Sequence, residues 1–141
     1  MNRDLILILD FGGNQAYYTA RKLRGEQFYC EILPADTSAE EIAARSPRGI
    51  LMAGGESADA PVQLACHAED MNIPILALGK SSQIVAEDVG AESLGPQLSG
   101  GKESVQFSSC ALFESLSESD RFFDCINGYN LPEGYAPIAS T

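Results

Sequence analysis

Five consecutive aliphatic residues, Leu5 to Leu9, constrain this chain more than any other feature, because they leave no polar face. A strand of that kind has to be covered on both sides, which is the position of an inner strand in a parallel sheet layered between helices. The run ends at Asp10-Phe11-Gly12-Gly13-Asn14, a turn, and Gln15 to Arg24 then carries helical spacing. Tyr29 to Leu33 reads as a second strand. Ser38 and Glu41 form a capping-box start for a short helix through Ala44. Gly49 to Met52 is a third strand, running into Ala53-Gly54-Gly55-Glu56. Pro61 suits the first turn of a helix reaching to about Met71. Pro74 to Leu78 is a second aliphatic run and a fourth strand, expected like the first in the middle of the sheet. Gly79-Lys80-Ser81-Ser82 and a helix through Val89 follow.

Strand and helix in alternation predict parallel neighbours joined by right-handed crossovers, a doubly wound, flavodoxin-like α/β fold. Past Gly90 the pattern changes. Leu94 to Gly101 is rich in Gly, Ser and Pro and reads as a loop. Val105 to Phe107, Phe122 to Ile126 and Ala136 to Ala139 are short strand candidates, separated by turns such as Asn127-Gly128 and Pro132-Glu133-Gly134. They form a small antiparallel extension. A length of 141 residues without a linker or repeat predicts a single domain, 1–141.

Charge and composition narrow the function. Nine basic against twenty acidic residues give a net charge of −11. Such a surface repels phosphate backbones and anionic lipid, which argues against nucleic-acid and membrane roles. No apolar run approaches the ~20 residues of a membrane span, and the start lacks a cleavage region, so a cytoplasmic location is expected. Cys30, Cys66, Cys110 and Cys125 are widely spaced, with no metal-ligand spacing, and read as small core hydrophobes. The only histidine, His67, has no partner at ligand spacing. A hydrolase that needs a histidine base must use His67 or do without.

Ligands of doubly wound sheets bind beyond the carboxyl ends of the strands. Asp10 to Asn14, Ala53 to Ser57 and Gly79 to Ser82 reach that edge, each with glycine, and each has backbone N–H groups to offer an anion. Tight turns alone would also explain those glycines. Neither G-x-G-x-x-G nor G-x-x-x-x-G-K-[ST] is present, because Pro74 stands where a P-loop preceding Gly79-Lys80-Ser81 would need glycine. No cofactor or metal is implied. A phospho-receiver would need an Asp at the end of the third strand, where Ala53 stands.

Several segments in order carry a family resemblance: Leu7-Ile8-Leu9-Asp10-Phe11-Gly12, Tyr29-Cys30-Glu31-Ile32, Asp36 to Ile42, Pro47-Arg48-Gly49-Ile50-Leu51-Met52-Ala53-Gly54-Gly55-Glu56-Ser57, and Leu131-Pro132-Glu133-Gly134-Tyr135. The chain resembles the class I glutamine amidotransferases, and within them the amidotransferase part of GMP synthetases. The resemblance implies that Gly54 and Gly55 occupy the oxyanion and glutamine-binding turn. It also implies a synthetase-type partner carrying an ATP-pyrophosphatase.

The departures bear on chemistry. The family's nucleophile sits in G-I-C-x-G-x-Q on a strained strand-to-helix turn. Here Leu78-Gly79-Lys80-Ser81-Ser82-Gln83 fills the stretch, with Gln83 matching and Gly79 where the cysteine belongs. Without a side chain there is no thiolate and no thioester. The family's His-Gly-Asp segment appears as Ile126-Asn127-Gly128-Tyr129, and its His-x-Glu pair has no counterpart before Thr141. No residue is therefore assigned as catalytic. The expectation is an inactive amidotransferase-like domain with a remnant pocket of Gly54, Gly55, Gly79, Lys80 and Gln83, holding a small carboxylate or serving a partner. The alternative is a rearranged enzyme using Lys80, Ser81 or Ser82.

Overall fold

A computed structural model describes residues 4–55, 70, 72–98, 103–104, 106–107, 114, 121–122, 126–136 and 139–140. Strand β1 (Leu5–Phe11) continues two residues past the aliphatic run, and helix α1 (Gln15–Gly25), β2 (Tyr29–Pro34), α2 (Ala39–Arg45), β3 (Gly49–Gly54), β4 (Ile75–Leu78) and α3 (Ser81–Asp88) follow in order. The four strands form one parallel sheet in the order β2-β1-β3-β4. The helix expected at 61–71 lies outside the described residues, apart from Asp70.

Side-chain alternation explains why β1 must be apolar throughout. Leu5, Leu7, Leu9 and Phe11 point to one face and join Ile42 of α2, Ile50, Met52 and, from α3, Ile84 and Val85. Ile8, with Ile6 partly buried beside it, points to the other face and packs with Ala53 under Ala16, Ala20 and Leu23 of α1. Leu7 and Ile8, neighbours in sequence, are both fully buried on opposite sides of the sheet. Cys30 belongs to the α1 side, 3% exposed, with its thiol 3.7 Å from the Ala20 carbonyl oxygen. Cys66, Cys110, Cys125 and His67 lie outside the described residues.

The second aliphatic run does not repeat the first. Strand β4 is the edge strand of the described sheet, where a central position was expected. Ile75 and Ala77 pack into the core, but Leu76 and Leu78 are 41% and 38% exposed. They lie on the α1 face, where α1 packs mainly on β1, β2 and β3. An apolar hollow of about 280 Å³ beside them is lined by Leu23, Phe28, Leu51 and Leu76.

The start of α2 realises half of the expected capping box. The Ser38 hydroxyl accepts the Glu41 N–H at 3.3 Å, while the Glu41 carboxylate turns outward to Arg45, 3.0 Å away. The Glu40 carboxyl is held below its ordinary pKa by a backbone N–H and then by the Ser38 hydroxyl.

The chain divides into two compact units, Met1–Val89 and Gly90–Thr141. In the second, β5 (Glu92–Leu98) pairs antiparallel with β9 (Ile126–Asn130), β6 (Glu103–Ser104) with β8 (Arg121–Phe122), and β7 (Gln106–Phe107) with β10 (Ala139–Ser140). The expected antiparallel extension is present. Two local readings are corrected: 94–98 is strand rather than loop, and Asn127-Gly128 lies inside β9 rather than in a turn. The physical reason is mutual. Gly95, at φ +75, pairs with Gly128, and register shifts on either side of Gly95-Pro96 absorb a residue pair that local propensity reads as irregular. The Pro132-Glu133-Gly134 turn forms as expected, closed by the Tyr135 N–H on the Pro132 carbonyl.

Candidate functional site

Parallel pairing brings the ends of β1, β3 and β4 to one edge, and the glycine loops meet there. Asp10 opens the first: its Oδ1 accepts the Gly12 N–H at 2.9 Å, a local turn that swings the chain away from the sheet. Phe11 pairs with Gly54, and Ala53 with both Asp10 and Leu78, so the register itself sets the loops side by side.

Two glycines are required by close approach. Gly54 has φ +101, and a Cβ there would fall on the Gly12 carbonyl oxygen. Gly55, φ +95, lies against the next turn, with a Cβ reaching 3.3 Å from Lys80 Cβ and 3.4 Å from the Ser81 nitrogen. Gly79 differs. Its φ is +64, yet no atom of the described residues stands within 4 Å of where its Cβ would be. The turn after β4 keeps a left-handed conformation. Residues Gly54, Gly55, Gly79 and Lys80 are brought together, and Gln83 is in the first turn of α3.

The amides are less available than sequence reasoning implied. The Gly55 N–H donates to the Phe11 carbonyl at 3.2 Å. In the first turn of α3, the Ser82 N–H bonds Gly79 O and the Gln83 N–H bonds Lys80 O. Lys80 precedes the helix, exposed, with no side-chain cap. The Gly55, Ser82 and Gln83 amides are already committed to protein carbonyls.

Ser81 is a residue whose structural role sequence reasoning missed. It is 0% exposed, and its Oγ lies 2.8 Å from the carbonyl oxygens of both Met52 and Leu78. One hydroxyl proton serves two acceptors, tying the α3 turn to β3. The Ser82 Oγ donates to the Gly79 carbonyl at 2.6 Å. Neither hydroxyl is left without a partner. A serine at the first position of a helix after a strand was the available signal. Gly12 was also missed, although Asp10-x-Gly12 is an Asx-turn spacing.

The model of the family "Glutamine amidotransferase class-I" matches residues 7–123. The chain belongs to the class I glutamine amidotransferase family. Among curated amidotransferase relatives, the glutamine-hydrolyzing GMP synthases of Clostridium botulinum and Acetivibrio thermocellus are 33% and 34% identical to it, over 149 and 151 aligned residues. Those alignments take in 100% of this chain and 29% of each relative. The chain thus spans under a third of the curated relatives' length.

Solved amidotransferase structures carry the same fold. A GMP synthase subunit from Thermoplasma acidophilum superposes with a TM-score of 0.73 at 19% identity, over 100% of this chain and 74% of the other. A glutamine amidotransferase of Thermotoga maritima gives 0.68 at 14%, over 99% and 67%. Among the described residues there is no group of His, Cys, Asp and Glu that could hold a metal, and no helix long and apolar enough to cross a membrane.

Proposed function

We propose that this chain is an amidotransferase-like domain, formed by both compact units, that has lost glutamine hydrolysis and keeps a binding role. The observation that carries the reading is Gly79. At the turn where the family resemblance puts a nucleophilic cysteine, the backbone holds a positive φ with no described residue within 4 Å of a Cβ, and the side chain is missing. Glutamine hydrolysis through a thioester, the route the resemblance implies, needs a thiolate and a base to activate it. The sole histidine of these residues is His67, in sequence before the strand that leads to Gly79. Whatever follows Thr141 in a longer polypeptide cannot supply a thiol at position 79.

The rearranged enzyme is disfavoured by the serines. The Ser81 Oγ is buried among two carbonyls, and the Ser82 Oγ faces Gly79 O, so neither is positioned as an attacking group. Lys80 has no base or oxyanion partner among the described residues around it.

What remains is weak anion binding at Gly54, Gly55, Gly79, Lys80 and Gln83, and a cytoplasmic partnership with a synthetase-type, ATP-pyrophosphatase-bearing protein. Engagement of the Gly55, Ser82 and Gln83 amides by protein carbonyls supports a dissociation constant for small carboxylates of roughly millimolar. The test is ammonia release from glutamine by the purified chain, alone and with a GMP synthase synthetase portion, together with labelling by a glutamine-analogue alkylator. No ammonia and no label at 79–82 are expected. Partner-stimulated ammonia release, or stoichiometric labelling of Ser81 or Ser82, would overturn the reading.

A further inference from the structure

We propose that the outward face of α1 is a docking surface for a carboxylate-bearing face of a partner protein; the partner's identity rests on the synthetase reading above, and the surface does not. Helix α1 buries Ala16 and Ala20 against the sheet, with Leu23 beside them. At ~100° per residue, Tyr18, Arg21 and Lys22 fall on the opposite arc, with Tyr17 and Arg24 on its flank. All five are exposed, the two tyrosines at 61% each, and Phe28 just beyond the helix is 53% exposed. Single exposed aromatics are ordinary, but a cluster of them beside arginine has the composition of an interface centre.

Charge selects the occupant. The whole chain has nine basic residues against twenty acidic, yet α1 holds three of the nine and no acid. Arg45 and Arg48 elsewhere are answered by Glu31, Glu41 and Asp4. Arg21 and Lys22 make no ion pair with any described residue, and Arg24 donates to the Cys30 carbonyl oxygen. Lys22 and Arg24 also suit the negative end of the helix dipole, but the dipole requires neither Arg21 nor exposed tyrosines. Open hollows of about 680 and 910 Å³ flank the helix, the first lined by Tyr17, Arg24 and Glu31 among others, the second by Tyr18, Arg21, Lys22, Phe28 and one carboxylate, Glu26. The second, with Leu23 and Phe28 in its wall, offers a seat for an apolar side chain next to two cations. Phosphate backbones and anionic bilayers present charge over a wider area, and the rest of a chain at net −11 opposes both. A protein face of carboxylates matches one helix.

The test uses the full chain with two probes: the synthetase portion of the Acetivibrio thermocellus GMP synthase, and a short Glu- and Leu-rich peptide. Arg21→Glu with Lys22→Glu is expected to weaken both interactions at least ~tenfold at low salt, and less at ~0.5 M salt. Arg21→Gln with Lys22→Gln, which leaves no new charge in the helix, should weaken them severalfold, as should Tyr18→Ala. Arg48→Glu should change nothing. If the synthetase portion binds and the Arg21/Lys22 variants bind it equally, the docking surface is refuted while the partner reading stands. If the peptide binds through Arg21 and Lys22 but the synthetase portion does not, the partner reading fails and the acidic-docking surface stands. Binding of neither probe overturns the proposal, as does an Arg21/Lys22 dependence confined to self-association or to phosphatidylserine vesicles.

Discussion

Alanine at Gly54 and alanine at Gly79 should have very different consequences, although both glycines sit in strand-end turns with positive φ. At Gly54, φ +101 lies outside the region an L-residue tolerates, and the added Cβ lands on the Gly12 carbonyl oxygen, a backbone atom that cannot rotate away. The strained conformation costs roughly 1–3 kcal/mol, and displacing the β1 or β3 loop about as much again, 1–3 kcal/mol. Reduced freedom of the unfolded chain returns only about 0.4–1 kcal/mol. The net loss of about 1–6 kcal/mol is set against a typical stability of ~5–15 kcal/mol. At Gly79, φ is +64 and the Cβ meets no described residue within 4 Å. A left-handed alanine there costs about 1–2 kcal/mol, partly offset by the same unfolded-state term. Urea unfolding followed by far-UV circular dichroism reads the difference. With a slope of ~2 kcal/mol per molar, the Gly54→Ala midpoint should fall by about 0.5–3 M, more than that of Gly79→Ala. Equal midpoints for the two variants, or a Gly54→Ala protein as stable as the parent, would refute the close approach of the glycine loops.

Three further outcomes follow from single contacts. Ser81→Ala should destabilise by about 1–3 kcal/mol, because the buried Met52 and Leu78 carbonyls lose a donor; thermal unfolding checks this, and a neutral result would mean the hydroxyl bridges nothing. Ser38→Ala removes a helix cap and should lower stability by about 1 kcal/mol, and it should move the Glu40 carboxyl back toward 4.5 in an NMR titration. Because that pKa is depressed in the folded chain, its stabilising effect is present above the unfolded value and is lost as pH falls through the folded one. An unmoved titration would remove Ser38 from the account. Leu7→Ala, at a fully buried position, should cost about 2–5 kcal/mol, whereas Leu76→Ala, at 41% exposure, should cost well under half of that; comparable losses would show that the β4 face is covered in solution.

Patterns that depend on near neighbours in the chain were legible from the residues alone. Leu5 to Leu9 could only be a strand covered on both faces, because five aliphatic side chains in succession leave no side for water. Ser38 marked the start of α2 because capping is a three-residue interaction, and the Pro132-Glu133-Gly134 turn was equally local. The segment resemblance, read in order, led to the family and to Gly79 as the position without a side chain. Tertiary structure decided what depends on distant partners. Leu76 and Leu78 read like core residues, yet β4 lies at the edge of the described sheet and both stay over a third exposed. Gly95, Pro96, Asn127 and Gly128 read as loop and turn, yet they pair because each strand supplies the other's hydrogen bonds. Ser81 looked like a spare nucleophile until the register of β3 and β4 put Met52 O within 2.8 Å of its hydroxyl. Chain-local chemistry is written in adjacent residues, while coverage, pairing and the availability of a hydroxyl or an amide depend on which distant backbone stands beside it.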